Sequence, residues 1–285
     1  MKPLKLLTVG DIHCKPRIIT WVKNHLSDYD KVVFLGDYVD DWDTPPELSY
    51  NTLKQLIDLK LKHPSKIEAN LGNHDLHYLL NDPAHRYSGW NPLTSSLIKD
   101  LYKTKTETNT PVFQVAYSKG NYLFTHAGVD ERWFNDLKLL LERKYPDLLK
   151  LLNSKEGTLA ARISNILNYG FLEWLNGESK LFYALTMCGP YRGGTDNPSP
   201  LWADYDDIYT DKHALPKLNQ VIGHTPVKTI LTRETKDKKH LYFCDTFSED
   251  FLPFVGFTIP HGDNTFLELT FYANGRVKPN VLGLD

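Results

Sequence analysis

The chain has 285 residues, with 33 basic and 35 acidic side chains, a formal net charge of −2 and 41% hydrophobic residues. These proportions are ordinary for a globular protein and argue against a dedicated nucleic-acid surface, which shows a basic excess or stripe. No stretch reaches the ~18 consecutive apolar residues of a membrane helix, and Met1-Lys2-Pro3-Leu4 opens without the apolar core of a signal peptide.

In chain order, residues 4–9 form a short apolar run, predicted as a strand, before Gly10-Asp11-Ile12-His13. A helix is predicted over 15–26. A second strand over 31–35 meets Gly36-Asp37-Tyr38-Val39-Asp40. A second helix over 45–61 starts at Thr44-Pro45-Pro46-Glu47, with Thr44 as its cap. A strand over 66–71 then leads into Gly72-Asn73-His74-Asp75. Beyond a helix over 93–102, the stretches 111–117 and 121–124 read as a hairpin turning at Lys119-Gly120, and the second of them ends at Thr125-His126. Leucine-rich amphipathic stretches follow over 130–152 and 158–175, predicting a helical insertion at about 130–200 within one domain spanning 1–285. A strand over 219–222 precedes Gly223-His224-Thr225-Pro226. The β runs 227–232, 240–244 and 265–272 are expected to form a second sheet, with Lys236-Asp237-Lys238-Lys239 as a hairpin loop.

Five times, then, a strand ends at a small residue and a polar ligand. Alone, each stretch would be a turn or a satisfied histidine. Together they supply two Asp carboxylates (Asp11, Asp37), the Asn73 amide and three imidazoles (His13, His126, His224). Such a mixture of hard oxygen and borderline nitrogen suits manganese first, with iron or zinc as alternatives. It suits calcium or magnesium less well. The set points to two divalent metal ions serving phosphate-ester hydrolysis, with Asp37 as the shared carboxylate because it opens the most acidic stretch. Cys14, Cys188 and Cys244 are isolated, which excludes a closed zinc knot and suits a reducing compartment, so a cytoplasmic protein is expected.

These stretches resemble, in order, those of the calcineurin-like metallophosphoesterases, and within them the phosphoprotein phosphatase and diadenosine tetraphosphatase branch. The resemblance runs from Asp11 to His224, with an echo at Asp245-Thr246. It implies an α/β fold, a four-layer αββα sandwich of two mixed sheets. It further implies that Asp11, His13 and Asp37 hold one metal, and Asp37, Asn73, His126 and His224 the other. By the same resemblance His74 is the general acid, Asp40 is the carboxylate that orients it, and a metal-bridging hydroxide attacks phosphorus.

Two departures from that pattern bear on the substrate. Asp41 and Trp42 stand where phosphoprotein phosphatases have Arg and Gly, and His77 stands where many have a second Arg. Such arginines clamp phosphate. Arg192, within Cys188-Gly189-Pro190-Tyr191-Arg192-Gly193-Gly194, is the expected substitute, ahead of Arg86 and Arg162. The implied activity is a phosphomonoesterase acting on phosphoserine or phosphothreonine, its partner being a phosphorylated protein or nucleotide. A nucleotide or diadenosine-polyphosphate hydrolase is the alternative, a nuclease ranks third, and a metal-binding scaffold without turnover is the alternative of another class.

Overall fold

A computed structural model describes residues 2–41, 44–80, 82–178, 180–247 and 262–284. Two compact units emerge, one built from Met1–Phe113, Pro226–Leu231 and Cys244–Asp285, the other from Gln114–Thr225 and Thr232–Phe243.

The first unit is organised by a six-stranded sheet of order β11-β10-β1-β2-β3-β4. Strands β1 (Leu4–Val9), β2 (Lys31–Phe34) and β3 (Ile67–Asn70) lie parallel. Parallel neighbours need a crossover, and the helices α1 (Pro16–His25) and α2 (Pro46–Lys62) provide it. Both helices open with proline in the first turn, where the missing N–H costs nothing. Thr44 does not cap α2. Pro45 takes the cap position, and the Thr44 hydroxyl instead donates to the carbonyl of Asp41 at 2.9 Å. The interior ends of β1 and β2 are fully buried, as continuous apolar runs in a covered sheet should be.

Three features of this unit depart from expectation. Residues 73–80 form a helix, α3 (Asn73–Leu80), starting directly at the Gly-Asn-His-Asp stretch. Strand β10 (Thr265–Phe271) joins the first sheet, antiparallel to β1 with Leu6 opposite Leu269, and does not enter a second sheet. Its alternating pattern fits any half-buried partner, so the pattern alone could not assign it. The edge strand β11 (Val277–Gly283) went unpredicted because Pro279 and a mostly exposed face obscure it; proline is tolerated at such an edge. Between α3 and β4, Asn91 caps α4 (Pro92–Ile98) by accepting from the N–H groups of Leu93 and Thr94.

The second sheet has five strands in the order β5-β6-β7-β9-β8. The predicted stretch 111–117 is divided, with β4 (Phe113–Gln114) in the first sheet and β5 (Ala116–Lys119) in the second. The hairpin then forms as expected, β5 pairing antiparallel with β6 (Tyr122–Thr125). β6 in turn runs parallel to β7 (Asn219–Pro226). Residues 227–232 were expected as a strand; β8 (Leu231–Glu234) begins later, and β9 (His240–Asp245) follows the expected loop, closed by Thr235 N–H donating to Lys239 O.

The predicted helix over 130–152 is cut by Pro146 into α5 (Glu131–Lys144) and α6 (Pro146–Asn153), since proline opens a helix but cannot sit inside one. Asp130 caps α5, and Thr158 caps α7 (Leu159–Leu175). A short helix α8 (Lys180–Tyr183) follows. α7 is tied to β5. Asn168 Oδ1 accepts from Val115 and Ala116 N–H at 2.9 and 3.0 Å, while Ser164 and Asn168 both donate to Ala116 O. These side chains satisfy peptide groups that an edge strand would otherwise leave unpaired. No helix among the described residues is long and apolar enough to cross a membrane.

Candidate metal centre

In the first unit the carboxyl ends of β1, β2 and β3 deliver the predicted residues to one place. The loop after β1 is laced to the loop after β2: the N–H groups of Ile12 and His13 donate to Asp37 O at 3.1 and 3.0 Å, and Cys14 N–H donates to Tyr38 O at 3.0 Å. The loop after β3 joins through His74 N–H, which donates to Asp37 Oδ1 at 2.9 Å. Gly72 is required there, because a Cβ on it would come within 2.1 Å of that same carboxylate oxygen.

Asp11, His13 and Asp37 bring one ligand atom each to within 4.8 Å of one another, with both carboxylates almost wholly buried. His13 Nδ1 faces the carbonyls of Asp40 and Val39 at 2.8 and 3.1 Å, so Nδ1 carries the proton. Nε2, 3.9 Å from Asp37 Oδ2, is left as the ligating nitrogen. Burial, then the neighbouring charge of His74, lowers the pKa of His13 and favours the neutral ring that a metal needs. Burial pushes the Asp37 carboxyl well up, and the charges of Asp75, Asp245 and Asp40 add to it. This much anionic charge held out of water is what a bound cation compensates, so the residues fit a divalent metal.

Asn73 is buried at the first position of α3, and His74 follows it. His74 Nδ1 lies 3.1 Å from Asp40 Oδ2. Asp40 receives two further groups that were not foreseen: the Tyr78 hydroxyl donates to Oδ1 at 2.5 Å, and His77 Nε2 lies 2.6 Å from Oδ2. Burial alone would raise the Asp40 carboxyl, but the bonds and charges of His74 and His77 outweigh it and hold it below the usual carboxylate range. His77, in the place of a clamping arginine, is fully buried on Asp40. Asp41, which reverses the charge of the other arginine, is matched by Lys15 at 3.6 Å. Trp42 lies outside the described residues.

In the second unit, parallel pairing of Thr125 with Ile222 puts His126 and His224 just beyond the same level of adjacent strands. His126 Nε2 and His224 Nδ1 are 3.0 Å apart, and both residues are buried. Two imidazole nitrogens about 2.0–2.1 Å from one cation lie roughly 3 Å from each other, so this pair also suits a shared ion. His224 sits inside β7 rather than beyond it, at φ 64°. Arg192 stands at this strand end. Its Nε is 2.7 Å from Asp204 Oδ2, and one Nη donates to Thr225 Oγ1 at 3.2 Å and to His224 O at 3.4 Å. Arg162 is spent on the carbonyls of Leu152, Glu156 and Gly157, and Arg86 lies over the Trp90 ring.

Backbone strain is present at several of these residues. His13, Cys14, Asp37, Asp40 and His224 all have positive φ, between 33° and 64°, a conformation other L-residues seldom adopt and one that marks functional sites. Sequence inspection missed this, and it also missed Asp75. That buried carboxylate accepts from the N–H groups of Asp37 and Gly72 at 2.8 Å each, from Tyr38 N–H at 3.3 Å, and from the Tyr102 hydroxyl at 2.6 Å. Its place inside the Gly-Asn-His-Asp stretch was the available signal.

A buried cluster of carboxylates and imidazoles at strand ends is the constellation of a metal-dependent phosphoesterase, and residues 4–266 match the family model described as calcineurin-like phosphoesterase. The chain belongs to that family and is a metal-binding hydrolase with its mixed α/β fold of two mixed sheets. Among solved structures, a cold-active protein-tyrosine phosphatase from a psychrophilic Shewanella species is similar at 16% identity and a TM-score of 0.44, over 98% of this chain and 80% of that one. A Saccharomyces cerevisiae protein serine/threonine phosphatase is similar at 13% identity and a TM-score of 0.47, over 99% and 80%. A purple acid phosphatase from yellow lupin seeds is similar at 12% identity and a TM-score of 0.44, over 99% of this chain and 52% of that one. No curated protein matches the chain in sequence.

Asp75→Asn should weaken the fastening between the loops that follow β2 and β3. Because a buried donor that loses its acceptor costs about 1–3 kcal/mol, unfolding in urea should show a loss of about 2 kcal/mol, with reduced metal content. A wild-type midpoint and full metal loading would contradict this role for Asp75.

Proposed function

We propose that this phosphoesterase hydrolyses phosphate monoesters, with phosphoserine and phosphothreonine in proteins as its substrates, at a dinuclear centre in a single cytoplasmic catalytic domain. Asp11, His13 and Asp37 are assigned to one ion, and Asp37, Asn73, His126 and His224 to the other, with manganese first and iron or zinc as alternatives. When bound, such ions lower the pKa of water and withdraw charge from phosphoryl oxygens.

The observation that carries the reading is the His74–Asp40 pair, Nδ1 to Oδ2 at 3.1 Å. With Nδ1 engaged, Nε2 is the nitrogen left to give a proton. Breaking the P–O bond of an aliphatic ester leaves an alkoxide, a poor leaving group that needs that proton. The phosphate released from a phosphoanhydride needs it far less. A held general acid therefore favours a phosphoprotein over a dinucleoside polyphosphate. Arg192 is assigned to the phosphate: Nε and one Nη are engaged, while a guanidinium has five N–H donors in a fork matched to phosphate oxygens.

The test is turnover by purified, Mn²⁺-loaded protein on a phosphoserine peptide, p-nitrophenyl phosphate, its bis ester and a diadenosine polyphosphate. The first two should be hydrolysed. Preference for the diadenosine compound would replace this reading with the nucleotide one, and retained metal with no turnover would leave a scaffold. His74→Asn should keep its metal and lose ~10²–10⁴-fold in kcat on the phosphopeptide; undiminished kcat removes His74 from the role. Arg192→Ala should raise KM or lower kcat by roughly 10–100-fold, the worth of one or two charge-assisted bonds. Wild-type kinetics would discard the assignment.

A further inference from the structure

Helix α3 places His74, His77 and Tyr78 at the i, i+3 and i+4 positions, one above another on a single face. All three turn to one carboxylate, Asp40. The contacts are unequal. The Tyr78 hydroxyl holds Oδ1 at 2.5 Å, whereas His74 reaches Oδ2 at 3.1 Å. His77 approaches Oδ2 at 2.6 Å, but off the N–H axis, as a close bent contact rather than a linear hydrogen bond. Tyr78 and His77 are both fully buried, and His74 is partly open to solvent.

The two buried residues are themselves fixed. The Tyr78 oxygen accepts from Asn91 N–H at 3.4 Å, and Tyr87 N–H donates to His77 Nδ1 at 3.4 Å, which leaves the His77 proton on Nε2, facing Asp40. The rings of His77 and Tyr78 pack edge to face at 4.3 Å. Burial, then the Asp40 charge, keeps the Tyr78 phenol protonated and hence a donor. Gly89, at φ 87°, lets the chain close on Asp40, since a Cβ there would lie 2.9 Å from the Asp40 Cβ. Asp40 has a strained backbone, at φ 60°, so its carboxylate is oriented by what grips it.

We propose that Tyr78, supported by His77, is a positioning residue: it holds Asp40 in the one orientation in which Oδ2 takes the His74 Nδ1–H and aims Nε2 at the departing oxygen. This rests on the general-acid reading of His74. In the step concerned, the P–O bond breaks, its electron pair stays on the leaving oxygen, and that oxygen takes the Nε2 proton, leaving a neutral imidazole still donating from Nδ1. Substrates with a poor leaving group depend on the aim of that proton. A nitrophenolate, stable without it, does not.

Tyr78→Phe removes one oxygen and keeps the buried ring. It should lower kcat on the phosphoserine peptide roughly tenfold, a part of the ~10²–10⁴ a general acid contributes. KM should stay unchanged and kcat on p-nitrophenyl phosphate should remain within about twofold. In Zn²⁺-loaded protein, at a pH where the His74 ring is neutral, its ¹⁵N NMR signals should show a fixed Nδ1–H tautomer in the wild type and a mixed population in the variant. His77→Gln, which keeps a donor, should fall between the two, and His77→Leu should behave like Tyr78→Phe. Equal losses on both substrates, or an unchanged tautomer, would overturn the proposal while leaving His74 in place. If His74→Asn itself spares the phosphopeptide, the general-acid reading falls, and this proposal with it.

Discussion

One carboxylate, Asp75, fastens the ends of two neighbouring strands by accepting from the peptide N–H groups of Asp37, Tyr38 and Gly72 and from the Tyr102 hydroxyl. Backbone donors buried in loops must be paired or they cost free energy, and here a single buried carboxyl group pairs three of them. The consequence is positional. Asp37 is pinned between the loop carrying His13 and the helix beginning at Asn73, and the close approach at Gly72 follows from that fastening. Helix α3 departs from this point, so the face bearing His74, His77 and Tyr78 is oriented by the same contacts.

The electrostatics follow from the packing. Asp37, Asp40, Asp75 and Asp245 act on one another out of water, and the tool they provide is concentrated negative charge that a divalent cation balances. Asp40 is the exception within this group. Two imidazoles hold it ionised, and the Tyr78 hydroxyl donates to its other oxygen. The two changes from the arginines of related phosphatases are absorbed locally. Lys15 faces Asp41, and His77 becomes part of the Asp40 cluster. In the second unit Arg192 is anchored by Asp204 and Thr225 next to His224.

Strain is distributed with the same economy. Positive φ values at His13, Asp37, Asp40 and His224 mean that these side chains leave their strands in directions a relaxed backbone would not give. In the second unit the parallel register of β6 and β7 does the equivalent work, because it brings two histidines 98 positions apart in sequence to hydrogen-bonding distance.

The ligand stretches and the strands ahead of them were legible in the chain, since a short apolar run, a glycine and a polar ligand form a local pattern that repeats. Pairing was not legible. Thr265–Phe271 carries an ordinary alternating pattern, and only the free side of β1 decided that it belongs to the first sheet. The roles of Asp75 and Tyr78 were not read from the sequence, because a hydrogen bond to a partner 38 residues away leaves no periodic trace. Sequence by itself determined the chemistry, through residue types that bind cations and move protons. Tertiary structure decided their aim, because burial, strain and long-range hydrogen bonds exist only once distant segments have been packed against each other.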